Sequence, residues 1–311
     1  MPLLYADPRF LDHHTGNHPE SPERLRFLYE RLAGGDVLAR FDRKEWQPAT
    51  LDQLALLHEP EYVAEMREFA ARGGGHADVD TVVSRKSYDV ARLAAGAAID
   101  AVDEVIAGDH RQAACLVRPP GHHALAARAM GFCLFNNAAL AAAHARAKHR
   151  LERILIVDWD VHHGNGTQDL FYADEHVWFL SAHRYPFWPG TGAASETGTG
   201  AGLGTNFNLP VRFGTPRKTY LDRFESLLSD VARLCRPQLV LTSAGFDAHA
   251  ADPIGSLGLE TEDFEPLTRL VRQVADEHCG GRVVSLLEGG YNVPILAECV
   301  ECHLEALIRA S

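Results

Sequence analysis

The chain has 311 residues, 46% of them hydrophobic and 23% charged, which is the composition of a folded globular protein with a sizeable core. Its formal net charge of −12 argues against nucleic acid as a partner, because sequence-independent binding needs a basic surface. No apolar run reaches about 18 residues and no leader-like segment opens the chain, so we expect no membrane partner. The six cysteines are scattered, which indicates reduced thiols and a cytoplasmic location.

In the first half of the chain, short apolar segments alternate with helical patterns. Ser21 and Pro22 suit the N-cap and the first position of a helix. Residues 87–107 are rich in alanine and carry one apolar face, which predicts a long helix, whereas the glycine-rich segment 73–80 predicts a flexible loop. The predicted elements are, in order, a strand at 2–6, helices at 22–33, 51–57, 60–71 and 87–107, a strand at 113–117 and a helix at 135–149.

The second half repeats this alternation. The continuous apolar run at 154–157 predicts a strand buried on both faces, and the glycines at 164–166 predict a tight turn after it. Residues 185–204 hold six glycines and two prolines, which predicts a long functional loop. Thr261, followed by an acidic pair, predicts a helix N-cap. The predicted elements are strands at 154–157, 177–181 and 206–211, a helix at 220–234, a strand at 239–243, a helix at 261–278, a strand at 283–287 and a helix at 294–308.

This alternation predicts an α/β fold, a doubly wound and mostly parallel sheet with helices on both faces. No linker-like change of composition and no fixed-period repeat interrupts it, so we predict a single domain over residues 1–311. Cys299, Cys302 and His303 form a short motif in the last predicted helix. Because no second cysteine pair accompanies them, ordinary helix residues are favoured over a zinc site or a redox pair.

Four predicted strands are followed by polar clusters that packing alone does not explain. In an extended chain Asp158, Asp160 and His162 share one side, and buried carboxylates are costly unless they are paired or bind a metal. Because the carboxyl ends of parallel strands meet at one edge of a sheet, the clusters should converge on one site. The clusters lie at 121–123, 158–162, 245–247 and 289–291.

Metal-assisted hydrolysis is the chemistry that these residues favour. Asp160, His162 and Asp247 offer two oxygen ligands and one nitrogen ligand with open positions, as in catalytic zinc sites, and the same set suits Fe(II) or Mn(II). An activated water needs a general base, for which the adjacent histidines at 122–123 are candidates. Tyr291, on a glycine-rich loop, is a candidate hydrogen-bond donor to the developing oxyanion.

The motifs resemble those of the histone deacetylase family, in the same order along the chain. The Asp-Trp-Asp of 158–160 and the His-His-Gly-Asn-Gly of 162–166 are similar to the class II branch and to bacterial histone deacetylase-like amidohydrolases. The resemblance implies the arginase/deacetylase fold and zinc-dependent removal of acetyl groups from lysine-like N-acyl amines. The segments that carry it are 118–124, 131–137, 158–167, 245–249 with 252–253, and 287–292.

By this resemblance five residues are implied to be catalytic. His123 would be the general base, and His122 would be an electrostatic partner or acid that hydrogen-bonds Asp158. Asn165 stands where class I members have an aspartate behind the second histidine, so His123 should be the less basic of the pair. Tyr291 would donate to the substrate carbonyl oxygen, and a tyrosine rather than a histidine here implies activity on acetyl-lysine.

The resemblance also implies three cation sites. The catalytic Zn²⁺ would be bound by Asp160, His162 and Asp247, and the ligand types leave Fe²⁺ possible in its place. An inner K⁺ or Na⁺ would be bound by oxygens of Asp158, Asp160, His162, Ser181 and Ala182. A second monovalent site would use carbonyl groups around Phe171, Asp174 and Val177.

A further set of residues is implied to bind substrate. Gly131, Phe132 and Trp188 would line a narrow tunnel around an alkyl chain, and Asp80 aligns with a rim aspartate that holds the substrate backbone in some relatives. In the polyamine-selective branch an acidic gatekeeper follows the Asp-Pro pair, whereas Ile254 stands there in this chain. An apolar residue at that position weakens the case for polyamines.

Three functions therefore stay open at this level. The first is deacetylation of acetylated lysine in a peptide or protein, and the second is hydrolysis of an acetylpolyamine or another small acylated amine. The third, of another class, is a metal-bound scaffold that binds acyl-lysine without turnover. The sequence also leaves the cellular metal and homo-oligomerisation open.

Overall fold

The computed structural model describes residues 1–308 and contains one large parallel sheet and one small antiparallel hairpin. The strands are β1 (Leu3–Tyr5), β2 (Asp42–Arg43), β3 (Gly74–His76), β4 (Val82–Ser84), β5 (Gln112–Cys115), β6 (Ile154–Asp158), β7 (Val177–Arg184), β8 (Asn206–Val211), β9 (Leu239–Ala244) and β10 (Val283–Leu287). The large sheet has the order β2-β1-β5-β10-β9-β6-β7-β8, and all of its described pairings are parallel. β3 and β4 form the hairpin.

Helices cover both faces of this sheet, as predicted. They are α1 (Glu23–Ala33), α2 (Leu51–Leu54), α3 (Pro60–Ala71), α4 (Ser87–Ala107), α5 (Asn137–His149), α6 (Asn165–Phe171), α7 (Arg217–Cys235), α8 (Phe264–Cys279) and α9 (Val293–Ile308). α4 and α5 pack on each other and on β5, β9 and β10, whereas α7, α8, α9 and α1 pack in succession along the other side. Within residues 1–308, none of these helices has the length and hydropathy that a membrane span requires.

The chain reverses its direction of travel across the sheet between β6 and β9. From β6 it continues outward to β7 and β8, and it then returns to β9 and β10 on the other side of β6. Every residue of β6, β9 and β10 is buried, which explains why their sequences are mostly apolar. Ligands of open α/β sheets bind outside the carboxyl ends of strands at such a switch point. The α/β fold prediction is confirmed, and the fold places the β6 and β9 clusters side by side.

Some local predictions are wrong. Residues 73–80 are not a plain loop, because β3 lies within them and pairs with β4; a Cβ at Gly74 would lie 2.0 Å from the carbonyl oxygen of Val83. The turn predicted at 164–166 is instead the start of α6, and the edge strand β2 was not predicted. The missed strands have two or three residues and α6 has seven, so these elements carry little periodic signal.

Two predicted helix caps are also wrong. Pro22, already helical in φ and ψ, is the N-cap of α1, and Ser21 contributes its carbonyl group, which accepts from Arg24 N–H at 3.1 Å. At α8 the capping residue is Glu260 rather than Thr261, because Glu260 and Asp263 exchange side-chain and backbone hydrogen bonds around a 3₁₀ turn that precedes the helix. A carboxylate can therefore fill the capping role that the sequence pattern assigned to a hydroxyl.

His303, next to the cysteine pair on α9, is a buried structural residue. Thr268 donates its hydroxyl proton to the Phe264 carbonyl at 2.6 Å, so it accepts from His303 Nδ1–H at 2.6 Å. His303 Nε2 is then the acceptor for the hydroxyl of Ser285 at 2.8 Å. Burial lowers the pKa of His303 to about 4. Both ring nitrogens are occupied, which supports the prediction that this motif belongs to an ordinary helix.

Mild acid should destabilise the protein through its buried neutral histidines. Burial also lowers the pKa of His58 to about 4, from an ordinary value of 6.5. Each of these histidines takes up a proton near pH 6.5 in the unfolded chain, but only near pH 4 in the folded chain. The stability that its neutral form contributes is therefore present above pH 6.5 and is lost as the pH falls towards 4. At pH 5 the loss is about 2 kcal/mol for each such histidine.

The substitution His303→Gln tests this linkage. We expect it to reduce the difference in the free energy of unfolding between pH 7 and pH 5 by about 2 kcal/mol, measured by urea denaturation. The exposed His278 provides the control, because His278→Gln should leave the difference unchanged. An unaltered pH dependence in His303→Gln would contradict the assignment of a neutral folded imidazole.

Candidate active site

Three buried ionisable side chains converge where β6 and β9 end. Asp160 and His162 follow β6, and Asp247 follows β9. His162 Nδ1 lies 3.2 Å from Asp160 Oδ1 and 3.1 Å from Asp247 Oδ2. One donor atom from each of the three residues lies within 4.8 Å of the other two. The structure thus brings together the three residues that the sequence suggested as metal ligands.

Backbone groups and glycines shape the space around the two carboxylates. Gly289 N–H donates to Asp160 Oδ2 at 2.8 Å, and Val161 N–H donates to Asp247 Oδ1 at 2.9 Å. A Cβ at Gly245 would lie 2.2 Å from Asp160 Oδ2, and one at Gly289 would lie 2.3 Å from Asp247 Oδ2. The glycines after β9 and β10 are therefore required because the loops approach the carboxylates too closely for a side chain.

The charge balance of this cluster fits a bound divalent cation. Burial, and next the charge of Asp160, raise the pKa of Asp247, because two buried carboxylates share a single imidazole. A cation bound between Asp160, His162 and Asp247 would compensate the surplus negative charge. Two oxygen donors and one nitrogen donor with open positions match a catalytic zinc site, and the set also suits Fe(II) or Mn(II).

A histidine pair lies beside the cluster, on the loop that follows β5. The ring centroids of His122 and His123 are 3.9 Å apart. His122 Nδ1 lies 2.9 Å from Asp158 Oδ2, and His123 Nδ1 lies 2.7 Å from Asn165 Oδ1. The amide nitrogen of Asn165 faces the sulfur of Met130 at 3.4 Å, which supports this orientation of the amide. An amide oxygen accepts hydrogen bonds and cannot donate, so His123 carries a proton on Nδ1. In the neutral imidazole, Nε2 of His123 therefore keeps its lone pair.

The two histidines differ in their electrostatic surroundings. Burial opposes the charged form of His122, but the charges of Asp158 and Asp160 outweigh it and raise the pKa of His122 to about 10. Burial, and then the charges of His122 and His162, hold the pKa of His123 well below its ordinary value. The order of basicity that the resemblance implies, with His123 the less basic, agrees with these directions.

Aromatic side chains and a glycine border the approach to this site. The Trp188 ring meets the edge of His123 at a centroid distance of 4.7 Å, and the Phe132 ring meets Tyr291 at 5.6 Å. Gly131 lies between them with φ +56°, and a Cβ there would lie 2.4 Å from His123 Cδ2 and 2.6 Å from Trp188. These three implied tunnel residues therefore lie together at the site.

The substitution Gly131→Ala should obstruct this approach. We expect kcat/KM to fall by about 10²-fold, because displacement of His123 by a fraction of an ångström to 1 Å disturbs the geometry on which proton transfer depends. Gly190, in the Trp188 loop, also has a positive φ but has nothing within 4 Å of an added Cβ. Gly190→Ala should keep near-normal kcat/KM in the same steady-state assay, and equal losses in both variants would refute the steric explanation.

Tyr291, which follows the two glycines after β10, is held in place by its neighbours. Its N–H donates to Asp252 Oδ2 at 2.7 Å, and the Arg24 guanidinium lies 5.1 Å from the centre of its ring. Burial, and next the charge of Asp247, raise the pKa of the Tyr291 hydroxyl well above its ordinary value, so the hydroxyl stays a donor. Asp252 Oδ1 also accepts from the N–H of Ile254 at 2.9 Å, which ties Ile254 to this loop.

Asp80 lies at the tip of the β3–β4 hairpin, next to Phe132. Its carbonyl oxygen is 3.0 Å from His18 Nε2, and the His18 ring meets Phe132 edge-on at 4.6 Å. Phe132 N–H donates to the hydroxyl of Thr81 at 3.1 Å. The hairpin that the sequence did not predict therefore positions Asp80 beside the implied tunnel.

The residues implied to bind monovalent cations lie in two places. Asp158 and Ser181 are partners in the β6–β7 register, and the hydroxyl of Ser181 is 2.9 Å from His183 Nδ1. In the second group, the Phe171 carbonyl accepts from Asp174 N–H at 2.9 Å, and the Asp174 carbonyl accepts from the Thr205 hydroxyl at 3.2 Å. The remaining members are Asp160, His162 and Ala182 in the first place and Val177 in the second.

Several residues at the site were not predicted. Phe187 stacks on the metal-ligand candidate His162 with a centroid distance of 5.3 Å and an interplanar angle of 19°. Glu288 Oε2 accepts from the N–H groups of Gly121 and His122 at 2.7 and 3.2 Å, which fixes the loop of the histidine pair. Phe187 adjoins Trp188 and Glu288 adjoins the Gly-Gly-Tyr segment, so proximity to a motif was the available signal.

The fold and the site together define a class of protein, a hydrolase built on a doubly wound parallel sheet. Its reactive residues lie at the carboxyl edge of the sheet, where β6 and β9 meet. A neutral histidine, a charged histidine and a tyrosine hydroxyl next to a metal-ligand set are the groups that hydrolysis of an acyl bond requires.

Comparisons with known proteins agree with this class. The histone deacetylase domain matches residues 18–307 as a family. A histone deacetylase-like amidohydrolase of Pseudomonas aeruginosa is 38% identical over 294 residues, which cover 94% of this chain and 77% of that protein. The human polyamine deacetylase HDAC10 is 43% identical over 301 residues, which cover 93% of this chain and 44% of that protein.

Solved structures include the crystal structure of the HDA15 HD domain, which superposes with a TM-score of 0.92 at 35% sequence identity and covers 99% of this chain and 88% of that one. The chain belongs to the histone deacetylase family. The prediction of a hydrolytic deacetylase with the arginase/deacetylase fold is therefore confirmed.

Proposed function

We propose that this protein is a zinc-dependent amidohydrolase that removes acetyl groups from lysine-like N-acyl amines and releases acetate. The observation that carries the proposal is the buried cluster of Asp160, His162 and Asp247 beside a neutral His123 with a free Nε2. The same cluster leaves Fe²⁺ as an alternative metal. The names of the bacterial amidohydrolase and the human polyamine deacetylase support acylated amines as the substrate class.

Asp160, His162 and Asp247 would hold the metal ion. When bound there, such an ion lowers the pKa of water and polarises an acyl carbonyl group. His123 Nε2 accepts a proton from the attacking water while Asn165 keeps its Nδ1 protonated and its ring in position. The hydroxyl of Tyr291 donates a hydrogen bond to the carbonyl oxygen as negative charge develops on it.

The leaving amine requires a proton when the C–N bond breaks. His122, charged at neutral pH and held by Asp158, is the proposed source of that proton or of the positive charge that stabilises the transition state. The water oxygen forms the new bond to the acyl carbon, the amine leaves with the proton, and acetate remains. The two histidines thus have separate tasks because one is held neutral and the other charged.

The alkyl chain of the substrate would pass between Phe132 and Trp188, with Gly131 leaving room for it. Asp80 would bind the substrate backbone at the rim, and Ile254 would face the part of the substrate outside the tunnel. An apolar residue at that position offers no carboxylate to a second ammonium group, which favours acyl-lysine over acetylpolyamines.

Monovalent cations are a further part of the proposal. K⁺ or Na⁺ would be bound by oxygens of Asp158, Asp160, His162, Ser181 and Ala182, a set that shares Asp160 and His162 with the proposed zinc site. A second ion would be bound near Phe171, Asp174 and Val177, whose carbonyl groups would have to exchange their present hydrogen bonds for the ion. The six cysteines are scattered along the chain, which supports a cytoplasmic location as part of the proposal.

A substrate panel tests the proposed function. The protein is reconstituted separately with Zn²⁺ and Fe²⁺, and kcat/KM is measured on an acetyl-lysine peptide, trifluoroacetyl-lysine and acetylspermidine. We expect acyl-lysine to be preferred. A strong preference for acetylspermidine would favour the small-molecule alternative, whereas binding of the peptide without acetate release from the metal-loaded protein would favour the scaffold.

A further inference from the structure

A second cluster of metal-ligating side chains lies between α4 and α5, at the opposite edge of the sheet from the catalytic site. Asp103 lies on α4, and His144 and His149 lie on α5. α4 and α5 end just before β5 and β6 begin, so the cluster is at the amino edge of these strands. Among residues 1–308, this group and the catalytic cluster are the two sets of three such side chains with converging donor atoms.

The geometry of the cluster is that of a ligand set facing one point. His144 Nε2 and His149 Nε2 lie 2.9 and 2.6 Å from the same oxygen, Asp103 Oδ1. The side chain of His144 is 9% exposed and that of His149 13%, so both imidazoles are held by packing. Two imidazole nitrogens directed at one carboxylate oxygen offer the nitrogen and oxygen donors that zinc prefers.

The distances need little change to accept an ion. Zinc bonds of about 2.0–2.1 Å at tetrahedral angles place neighbouring donor atoms about 3.3 Å apart. Asp103 Oδ1 would therefore move about 0.4 Å further from His144 Nε2 and about 0.7 Å further from His149 Nε2, which side-chain rotations can supply. Both Nε2 atoms would exchange a proton for the metal, and Asp103 would bind through Oδ1.

Lys148 is the feature that opposes such a site. Its ammonium group lies 2.8 Å from Asp103 Oδ2, and the side chain is 55% exposed. As an exposed and flexible cation it can move away from Asp103, but its charge lowers the affinity of a second cation nearby. Removal of the lysine therefore distinguishes a metal site from a simple ionic contact between the helices. At a metal site its removal should strengthen cation binding, whereas in a simple ionic contact its removal should weaken the contact.

We propose that Asp103, His144 and His149 form a second metal site, which binds a divalent transition-metal ion such as Zn²⁺ and ties α4 to α5. The site has three protein ligands and a stabilising role, because it joins two helices that pack on the sheet and lies away from the reactive residues. A metal ion that binds only the folded chain stabilises that chain, and the stabilisation increases with the concentration of the metal.

The test begins with enzyme that holds one equivalent of Zn²⁺, which is titrated calorimetrically with ZnCl₂ and melted with and without added metal. We expect the wild type to take up a second equivalent and to melt at a higher temperature with it. His149→Ala and Asp103→Asn should lose both responses while they keep the first equivalent and normal deacetylase activity. His278→Ala, which removes an exposed helical histidine, should behave as the wild type does.

Lys148→Gln provides the decisive variant, because it removes no ligand and lies on the surface. A metal site predicts that this variant binds the second equivalent several-fold more tightly than the wild type. Unchanged or weaker binding would overturn the proposal, as would a wild type that takes up only one equivalent. Retention of the second equivalent by His149→Ala would place the ion elsewhere and would also overturn it.

Discussion

Tyr291→Phe is expected to lower kcat by about 10²–10³-fold, the loss that follows when one donor to a developing oxyanion is removed. KM should change little, because the hydroxyl acts mainly in the transition state. The aromatic ring keeps its contacts with Phe132 and Arg24, and the backbone N–H keeps its bond to Asp252, so the loop should stay in place. Steady-state kinetics on an acetyl-lysine reporter at full zinc occupancy measure the effect.

Tyr62→Phe is the matched control, because it also removes a single buried hydroxyl. That hydroxyl donates to the Leu134 carbonyl at 2.7 Å and takes no part in the proposed chemistry, so activity should be retained. His123→Ala should be at least as damaging as Tyr291→Phe, since it removes the general base. Near-normal turnover by both Tyr291→Phe and His123→Ala would rule out the proposed mechanism.

The convergence of the catalytic cluster could be predicted from the sequence, because a parallel sheet places the carboxyl ends of its strands along one edge. The strands at 206–211 and 283–287 have the predicted bounds. The second of them is fully buried and mostly apolar, as expected of a central parallel strand. Once the strands are parallel, their carboxyl ends share an edge, so Asp160 and Asp247 are expected to meet although 87 positions separate them.

Short elements with glycine were not predictable in the same way. α6 begins at Asn165 within a Gly-Asn-Gly segment that is typical of a turn. Its first turn is held from outside, because Thr167 N–H donates to the carbonyl group of His122 at 3.1 Å and its hydroxyl accepts from the Asn136 amide at 3.1 Å. Tertiary contacts therefore decide a helix that local propensity disfavours.

Buried charge pairs that join distant segments were also beyond the sequence pattern. Glu20 Oε1 accepts from Arg118 Nε at 2.5 Å, and Oε2 accepts from Arg118 Nη2 at 2.7 Å. Arg24 Nη1 donates to Glu20 Oε1 at 3.1 Å, and all three side chains are fully buried. Burial opposes the charge on Glu20, but Arg118 and the neighbouring His13 hold the pKa of its carboxyl group well below the ordinary value. One carboxylate thus compensates two buried guanidinium groups.

Glu20→Gln is expected to lower the free energy of unfolding by about 3–5 kcal/mol, because it leaves both arginines buried without a counter-charge. Arg24 also donates to the carbonyl groups of Glu288 at 2.5 Å and Gly290 at 2.7 Å, on either side of the glycine that hydrogen-bonds Asp160. A displaced Arg24 should therefore also lower kcat/KM in the fraction that remains folded.

Glu23→Gln is the control for this prediction, because Glu23 is exposed and pairs with Arg26 on the helix surface. Exposed pairs of this kind contribute about 0–1 kcal/mol, so urea denaturation should show little change.

A loss below about 1 kcal/mol in Glu20→Gln would mean that the two arginines find other partners or water when the carboxylate is removed. In that case the loop from β10 to Tyr291 would be held by its own hydrogen bonds to Asp160 and Asp252, and kcat/KM should stay near normal. Stability and activity measured on the same variant therefore decide whether this buried network supports the fold alone or also the geometry of the site.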